Sequence, residues 1–285
     1  MQSIASNIFI EDIFPGVTLG AINTPRGLIL VDAPPSSEDS RAWRASLMSL
    51  STGPDRVLVN LDSHPDRTLG ARAMDCTIIA HEKTAQVFRN RPTTFKAQGD
   101  ETGANWESIP GLGSVRWAPP EISFTENLAL HWGPSPILLE HRPGPTSGAI
   151  WVTMPSEKIA FVGDVALKNQ PPFLSNADLP AWIDSLKILL GNDYKGFTIV
   201  SGRGGTIPIS AVKTQLETMK RIHDRLEKLA ARNASPEATE KLVETLVSIY
   251  KAPASRQKHF SQRLRYGLLH YYLRRYHSSN NPQED

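Results

Sequence analysis

Three short apolar runs near the N-terminus place the strongest limit on the fold. Residues 27–31, 56–61 and 77–80 are rich in Val, Ile and Leu, and turn residues bound each run. Runs of this length and composition are typical of buried strands. The segments that separate and follow them carry apolar residues at helical spacing. This alternation of strand and helix predicts a sheet that is covered by helices.

The middle of the chain is predicted to form further strands, and its end to form helices. Five short apolar segments between residues 122 and 162 are separated by turn residues, and residues 197–200 resemble a final strand. After residue 209, apolar residues recur every three or four positions, which indicates long amphipathic helices. We therefore predict a strand-containing domain over residues 1–209 and a helical C-terminal extension over residues 210–285.

The composition of the 285-residue chain excludes several kinds of protein. The formal net charge of +2 gives no reason to expect a nucleic-acid partner. The single cysteine, Cys76, excludes an internal disulfide framework and a Cys-rich zinc module. We find no signal-peptide pattern and no run of about 18 apolar residues, so we expect a cytoplasmic protein without a membrane span. The sequence gives neither a small-molecule ligand nor an oligomeric state.

Residues 62–67 carry the most informative polar motif. Asp62, His64 and Asp66 alternate directly after the predicted strand 56–61, so their side chains project to one side of an extended segment. Carboxylate oxygen and imidazole nitrogen both suit a borderline metal such as zinc. By itself, however, the motif fits a polar turn between a strand and a helix at least as well.

The segments around this motif resemble those of the metallo-β-lactamase superfamily. The family's motif His-x-His-x-Asp-His corresponds to residues 62–67 of this chain, which read Asp-Ser-His-Pro-Asp-Arg. The other matching segments occur in the family's order: the strand ending in Asp32, the turn 143–148, the strand ending in Gly163-Asp164 and the turn 201–204. The resemblance covers roughly residues 8 to 207. It implies an α+β fold, namely a four-layer αββα metallo-β-lactamase sandwich, and a hydrolase with two metal ions between these loops.

The resemblance also implies seven metal ligands, and this chain departs from them. Four positions keep a group able to coordinate a metal: Asp62 (where the family has His), His64, Asp66 and Asp164. Three positions where the family has His do not: Arg67, Pro145 and Arg203. Arginine is not deprotonated in proteins, and proline has no side-chain donor. The pattern predicts a hydrolase-like protein with a degenerate dinuclear site and reduced or lost activity.

Three hypotheses for the altered site stay open. In the first, Arg67 and Arg203 pair with the carboxylates in place of metals, and no cofactor is bound. In the second, the remaining ligands hold one atypical divalent metal (Zn, Mn or Fe), and the protein is an active hydrolase. In the third, the arginines hold a carboxylate or phosphate, and the protein is a non-catalytic ligand- or partner-binding protein.

Two further segments have open roles. Residues 89–113 are polar and rich in Gly, Pro and Thr, which predicts an irregular insertion: either a lid with Trp106 at its tip or a solvated loop with one packed Trp. Residues 251–277 combine basic and aromatic side chains with no acid, as in some nucleic-acid-binding stretches. Because the whole chain is nearly neutral, we favour a core-packed helix with a solvated basic face.

Overall fold

A computed structural model of the protein describes residues 1–50, 53–96, 101–250 and 253–277. The strands among these residues are β1 (Gln2–Ala5), β2 (Ile8–Glu11), β3 (Leu19–Thr24), β4 (Gly27–Val31), β5 (Asp55–Val59), β6 (Thr77–His81), β7 (Ile122–Phe124), β8 (Asn127–Leu130), β9 (Ile137–His141), β10 (Ile150–Met154), β11 (Ile159–Gly163), β12 (Thr198–Ser201) and β13 (Thr206–Ile207). The α-helices are α1 (Ser37–Ser46), α2 (Pro65–Thr68), α3 (Glu82–Asn90), α4 (Leu179–Leu189), α5 (Ile209–Ala230), α6 (Glu240–Val247) and α7 (Ala254–Tyr272).

The strands form two sheets. Seven strands, β1 to β7, follow one another in chain order in the first sheet, and the second has the order β13-β12-β11-β10-β9-β8. Strands β4 to β7 are mutually parallel, and so are β11 and β12. The carboxyl ends of β4, β5 and β6 therefore lie at the same edge of the first sheet, where their loops can meet.

Alternating side chains place one apolar layer between the sheets and another on each outer face. In β4, Ile29 and Val31 share a buried cluster with Phe161 of β11, between the two sheets. Leu28 and Leu30 of the same strand point the other way and pack with α1. Because helices also cover the outer face of the second sheet, the predicted αββα sandwich is confirmed.

The C-terminal helices share a core with the second sheet. Trp151 of β10 and Trp182 of α4 lie in one buried cluster with Met219 and Ile222 of α5 and with Leu264 of α7. Burying each large apolar side chain stabilises the fold by roughly 1.5–3 kcal/mol. The domain boundary at residue 209 stays a prediction. Within the described ranges, no helix is both long and apolar enough to cross a membrane.

The helix after β5 begins inside the polar motif 62–67. Helix α2 starts at Pro65, and a 3-10 turn follows at Ala71–Met74. Proline suits the first helical position because its φ is fixed and its missing N–H needs no partner there. The Nδ1 atom of His64 caps the helix by accepting the N–H of Asp66 at 3.2 Å.

The basic C-terminal stretch forms a helix that packs on the core, as we favoured. Helix α7 begins at Ala254, directly after Pro253, and buries Leu264, Leu268 and other side chains of its apolar face. Lys251, which belongs to the predicted basic stretch, lies outside the described residues.

We expect Ile222→Ala to lower the free energy of unfolding by about 2–5 kcal/mol, because it removes a fully buried side chain from the core shared by α5 and the second sheet. Urea denaturation followed by tryptophan fluorescence and by far-UV circular dichroism should give the same lowered midpoint. The exposed neighbour Arg221→Ala is the control and should change stability by less than about 0.5 kcal/mol. A shift seen by circular dichroism alone would contradict the shared core.

Candidate functional site

The predicted site residues come together where the strand ends of the two sheets meet. Asp32 follows β4, Asp62 lies three residues beyond β5, and Asp164 and Arg203 follow β11 and β12. Each of these side chains, like Asp66 and Arg67, belongs to a residue that is at most 3% exposed. Buried charges persist only where they are paired, so the contacts between them decide the chemistry of the site.

Arg67 lies among three carboxylates. Its Nη1 donates to Asp32 Oδ2 at 3.2 Å, and its Nε lies 3.2 Å from Asp62 Oδ1. Its Nη2 donates to Asp164 Oδ1. Burial opposes the charge, but the three carboxylates, with Asp164 foremost, raise the pKa of the guanidinium above its ordinary value. Arg67 is therefore a permanently charged group at the centre of the site.

Arg203 reaches the same carboxylates from the second sheet. Its Nε lies 3.1 Å from both carboxylate oxygens of Asp164, and its Nη1 donates to Asp66 Oδ2 at 2.5 Å. A Cβ atom at Gly202 would lie 2.6 Å from Asp164 Oδ1 and 2.9 Å from Arg67 Nη1. Only glycine leaves room there for the two arginines to approach one carboxylate together.

Asp66 ties the 89–113 insertion to the site. Its Oδ1 accepts the backbone N–H of Trp106 at 2.7 Å, while its other oxygen pairs with Arg203. The Trp106 ring is buried and packs edge-on against Phe95. The alternative of a lid with Trp106 at its tip is therefore wrong, because this tryptophan anchors the insertion; residues 97–100 lie outside the described residues.

His64 is held neutral. Its Nδ1 accepts the N–H of Asp66, so that atom carries no proton, and Nη2 of Arg203 lies 3.3 Å from it. Burial, reinforced by the nearby Arg203 charge, lowers the pKa of His64 to about 3. The ring packs against Phe173 with a centroid separation of 4.3 Å. The Nδ1 lone pair of His64 is therefore already engaged in capping α2.

The pKa values of the four buried carboxylates of the site shift in two opposite directions. Burial raises the pKa of Asp32 to about 7 and also raises that of Asp62. Burial acts the same way on Asp66 and Asp164, but Arg203 outweighs it and holds the pKa of both below its ordinary range. The acids paired to Arg203 are therefore the fixed anions of the site, and Asp32 can carry a proton near neutral pH.

The residues present do not fit a pair of metal ions in this arrangement. Asp62, Asp66 and Asp164 each have an oxygen occupied by a guanidinium group, and Pro145 offers no donor. Within the described part of the chain, no group of three or more His, Cys, Asp or Glu side chains is arranged to hold a metal ion. Charge compensation in the site comes from arginine nitrogens.

Arg263, on α7, was not among the predicted site residues. It is 1% exposed, and its Cζ lies 4.0 Å from the ring centroid of Phe173, which also contacts Arg203 at 4.5 Å. One sequence signal could have found it. Arg263 stands between Phe260 and Gly267 on the apolar face of α7, where an arginine needs a buried partner.

Comparisons with known proteins agree with this fold. The sequence model described as the metallo-beta-lactamase superfamily matches residues 16–196. A sec-alkylsulfatase, Pisa1 from Pseudomonas sp., is similar with a TM-score of 0.69 and 13% identity; the match covers 96% of this chain but only 49% of the sulfatase. A beta-lactamase domain protein from Burkholderia ambifaria has a TM-score of 0.64 and 16% identity, covering 95% and 88% of the two chains.

A metallo-beta-lactamase from Pontibacter korlensis is similar with a TM-score of 0.60 and 18% identity, covering 77% of this chain and 97% of its own. No curated protein matches the chain in sequence. The coverage of 95–96% by two of the structures extends the similarity across the C-terminal helices. At these sequence identities, the similarity shows a shared fold and does not assign an activity to this chain.

Two buried groups should make stability depend on pH in opposite directions. Because the pKa of Asp32 is raised to about 7, the folded protein keeps a proton that the unfolded chain releases above about pH 4. Its contribution to stability is therefore lost as the pH rises towards 7. Because the pKa of His64 is lowered to about 3, the folded protein lacks a proton that the unfolded chain holds below about pH 6.5. Its contribution therefore grows as the pH rises.

Between about pH 4.5 and 6.5, we expect Asp32→Asn to make the slope of the free energy of unfolding against pH more positive. We expect His64→Gln to make the same slope more negative. Each slope should change by up to ~1.4 kcal/mol per pH unit. Urea denaturation at a series of pH values measures both slopes. The two variants control for each other, since a general loss of stability would not move the slopes apart. Parallel slopes would show that neither ionisation is perturbed.

Proposed function

Since the chain belongs to the metallo-β-lactamase superfamily, we propose that it is a hydrolase-like member whose dinuclear metal site is replaced by ion pairs, with metal-dependent activity reduced or lost. One observation carries this proposal: the guanidinium groups of Arg67 and Arg203 lie between the carboxylates of Asp62, Asp66 and Asp164. A guanidinium supplies positive charge to such acids as a metal does, and it holds them by bidentate hydrogen bonds.

A site with guanidinium groups in place of metal ions can perform different chemistry. A divalent metal polarises a substrate oxygen and generates hydroxide from bound water near neutral pH. A guanidinium has no empty orbital and keeps its protons, so it can bind an anion but cannot activate water in this way. His64 does not take over this role through its Nδ1 atom, because the ring is neutral and that atom already accepts the hydrogen bond that caps α2. Reduced or lost hydrolysis is the expected consequence.

The alternative of an active hydrolase with one Zn, Mn or Fe ion needs Asp62, His64 and Asp164 to converge on that ion. The two carboxylates would first have to release Arg67, whose side chain is fully buried. Leaving one buried charge without its partners costs about 3–5 kcal/mol. A weakly held metal on an oxygen-rich ligand set does not offset this cost easily. We therefore favour the metal-free form.

Metal content of protein purified without chelator, measured by plasma mass spectrometry, tests the proposal. We expect less than about a tenth of an equivalent of Zn, Mn or Fe in the wild type, because four of the family's imidazole ligands are absent. The variants His64→Ala and Asp164→Ala should give the same value. Nearly one equivalent in the wild type that is lost in both variants would contradict the proposal and support the single-metal hydrolase.

A further inference from the structure

A cavity of about 180 Å³ lies directly beside the ion-pair network. Two of its lining residues, His64 and Phe173, also contact the network. Other lining residues come from the 89–113 insertion, the loop around Pro145 and helix α7. The cavity therefore forms where these separate segments of the chain meet, and each of them can contribute to ligand recognition.

Arg91 brings a positive charge to the wall of this cavity and forms no ion pair with a carboxylate among the described residues, although Asp62 attracts its charge from farther away. Its Nη2 donates to the carbonyl oxygen of Ser63 at 3.0 Å, and its guanidinium lies 4.6 Å from the ring centroid of Trp117. Its Nη1 is buried and has no hydrogen-bond partner among the described residues. Burial lowers the pKa of Arg91 to about 10, which still leaves it charged at neutral pH.

Arg263 adds a second charge of the same kind. Its nitrogens contact neutral acceptors within the described structure: the carbonyl oxygens of Gly103 and Pro171 and the side chains of Gln170, Asn105 and His259. Burial lowers the pKa of Arg263 to about 9. These contacts fix the guanidinium in place without forming an ion pair, while the carboxylates of Asp66, Asp164 and Glu107 attract its charge from farther away.

The cavity wall thus combines a hydroxyl donor with two guanidinium groups that form no ion pair among the described residues. The hydroxyl of Thr146, another lining residue, is buried without a hydrogen-bond partner in the described structure. An unpaired buried donor is costly, and an anion that accepts from Arg91 and Thr146 would remove that cost at both groups. The wall also includes the apolar side chains of Phe173, Leu174 and Trp106, which a bare inorganic ion would leave uncovered.

We propose that this cavity binds a small organic anion, with a carboxylate or phosphoryl group held by Arg91 and Thr146 and an apolar body packed on Phe173. At about 30 Å³ per water, the cavity has the volume of roughly six water molecules, enough for an anion about the size of benzoate. The inference rests on the proposed function, because a metal in the neighbouring site would itself attract the anion.

Isothermal titration calorimetry of EDTA-treated protein with benzoate tests this site, with the neutral isostere benzamide as the matched ligand. We expect benzoate to bind the wild type and benzamide to bind at least tenfold more weakly, because only the anion neutralises the arginines. Phenyl phosphate in parallel distinguishes a phosphoryl from a carboxylate head group. Binding of either anion supports the proposal, and binding of neither overturns it.

Matched variants identify the residues responsible. Arg91→Gln should weaken benzoate binding by roughly tenfold to a hundredfold through loss of a charge-assisted contact. Arg89→Gln, two residues away with its side chain exposed and paired to Glu82, should bind as the wild type does. Thr146→Val, nearly isosteric, should weaken binding several-fold and decides the question if Arg91→Gln does not fold. Unchanged affinity in folded Arg91→Gln or in Thr146→Val would overturn the assignment.

The two proposals fail in different ways. If the protein contains no metal and binds neither anion, only the anion site is wrong. If benzoate binds only after zinc is added, the anion is bound to a metal, and both the anion site and the metal-free site are wrong.

Discussion

The carboxylate of Asp164 accepts hydrogen bonds from both Arg67 and Arg203, and the geometry of the whole site depends on this shared acceptor. It joins the end of β11 to α2 and to the turn after β12. Asp164 is 97 residues from Arg67 in the chain and 39 residues from Arg203. Buried ion pairs contribute little net stability, because desolvation offsets their attraction, but breaking one of them is costly. The network therefore acts mainly to fix the positions of the loops.

The same network holds together a cluster of acids that would otherwise repel one another. Acids that meet at strand ends repel one another unless a cation lies between them. In this chain two arginines occupy that role, and a third, Arg263, approaches from the C-terminal helix through Phe173. Arg91 and Arg263, which form no ion pair among the described residues, line the cavity in which we propose that an organic anion binds.

Much of this structure follows from the sequence, and the remainder depends on contacts between distant residues. The strands β4, β5 and β11 and their terminal acids were predictable because apolar periodicity is local. Pairing of Arg67 and Arg203 with the acids was one of three hypotheses, and it depended on the family resemblance that brings these residues together as well as on their charges. By contrast, nothing in the local pattern says that Asp32 joins Arg67 or that Trp106 donates to Asp66. Those contacts are set by how loops from both sheets and the insertion pack together.

Zinc titration of the variant Arg67→His/Pro145→His/Arg203→His beside the wild type tests the central claim most directly. The account predicts that the wild type shows no zinc binding by calorimetry, while the variant, which regains imidazole at each position, binds at least one equivalent. Thermal unfolding of both proteins without metal would confirm that the variant folds. Zinc binding by the wild type with an affinity equal to that of the variant would contradict the claim that arginines have replaced the metal ions.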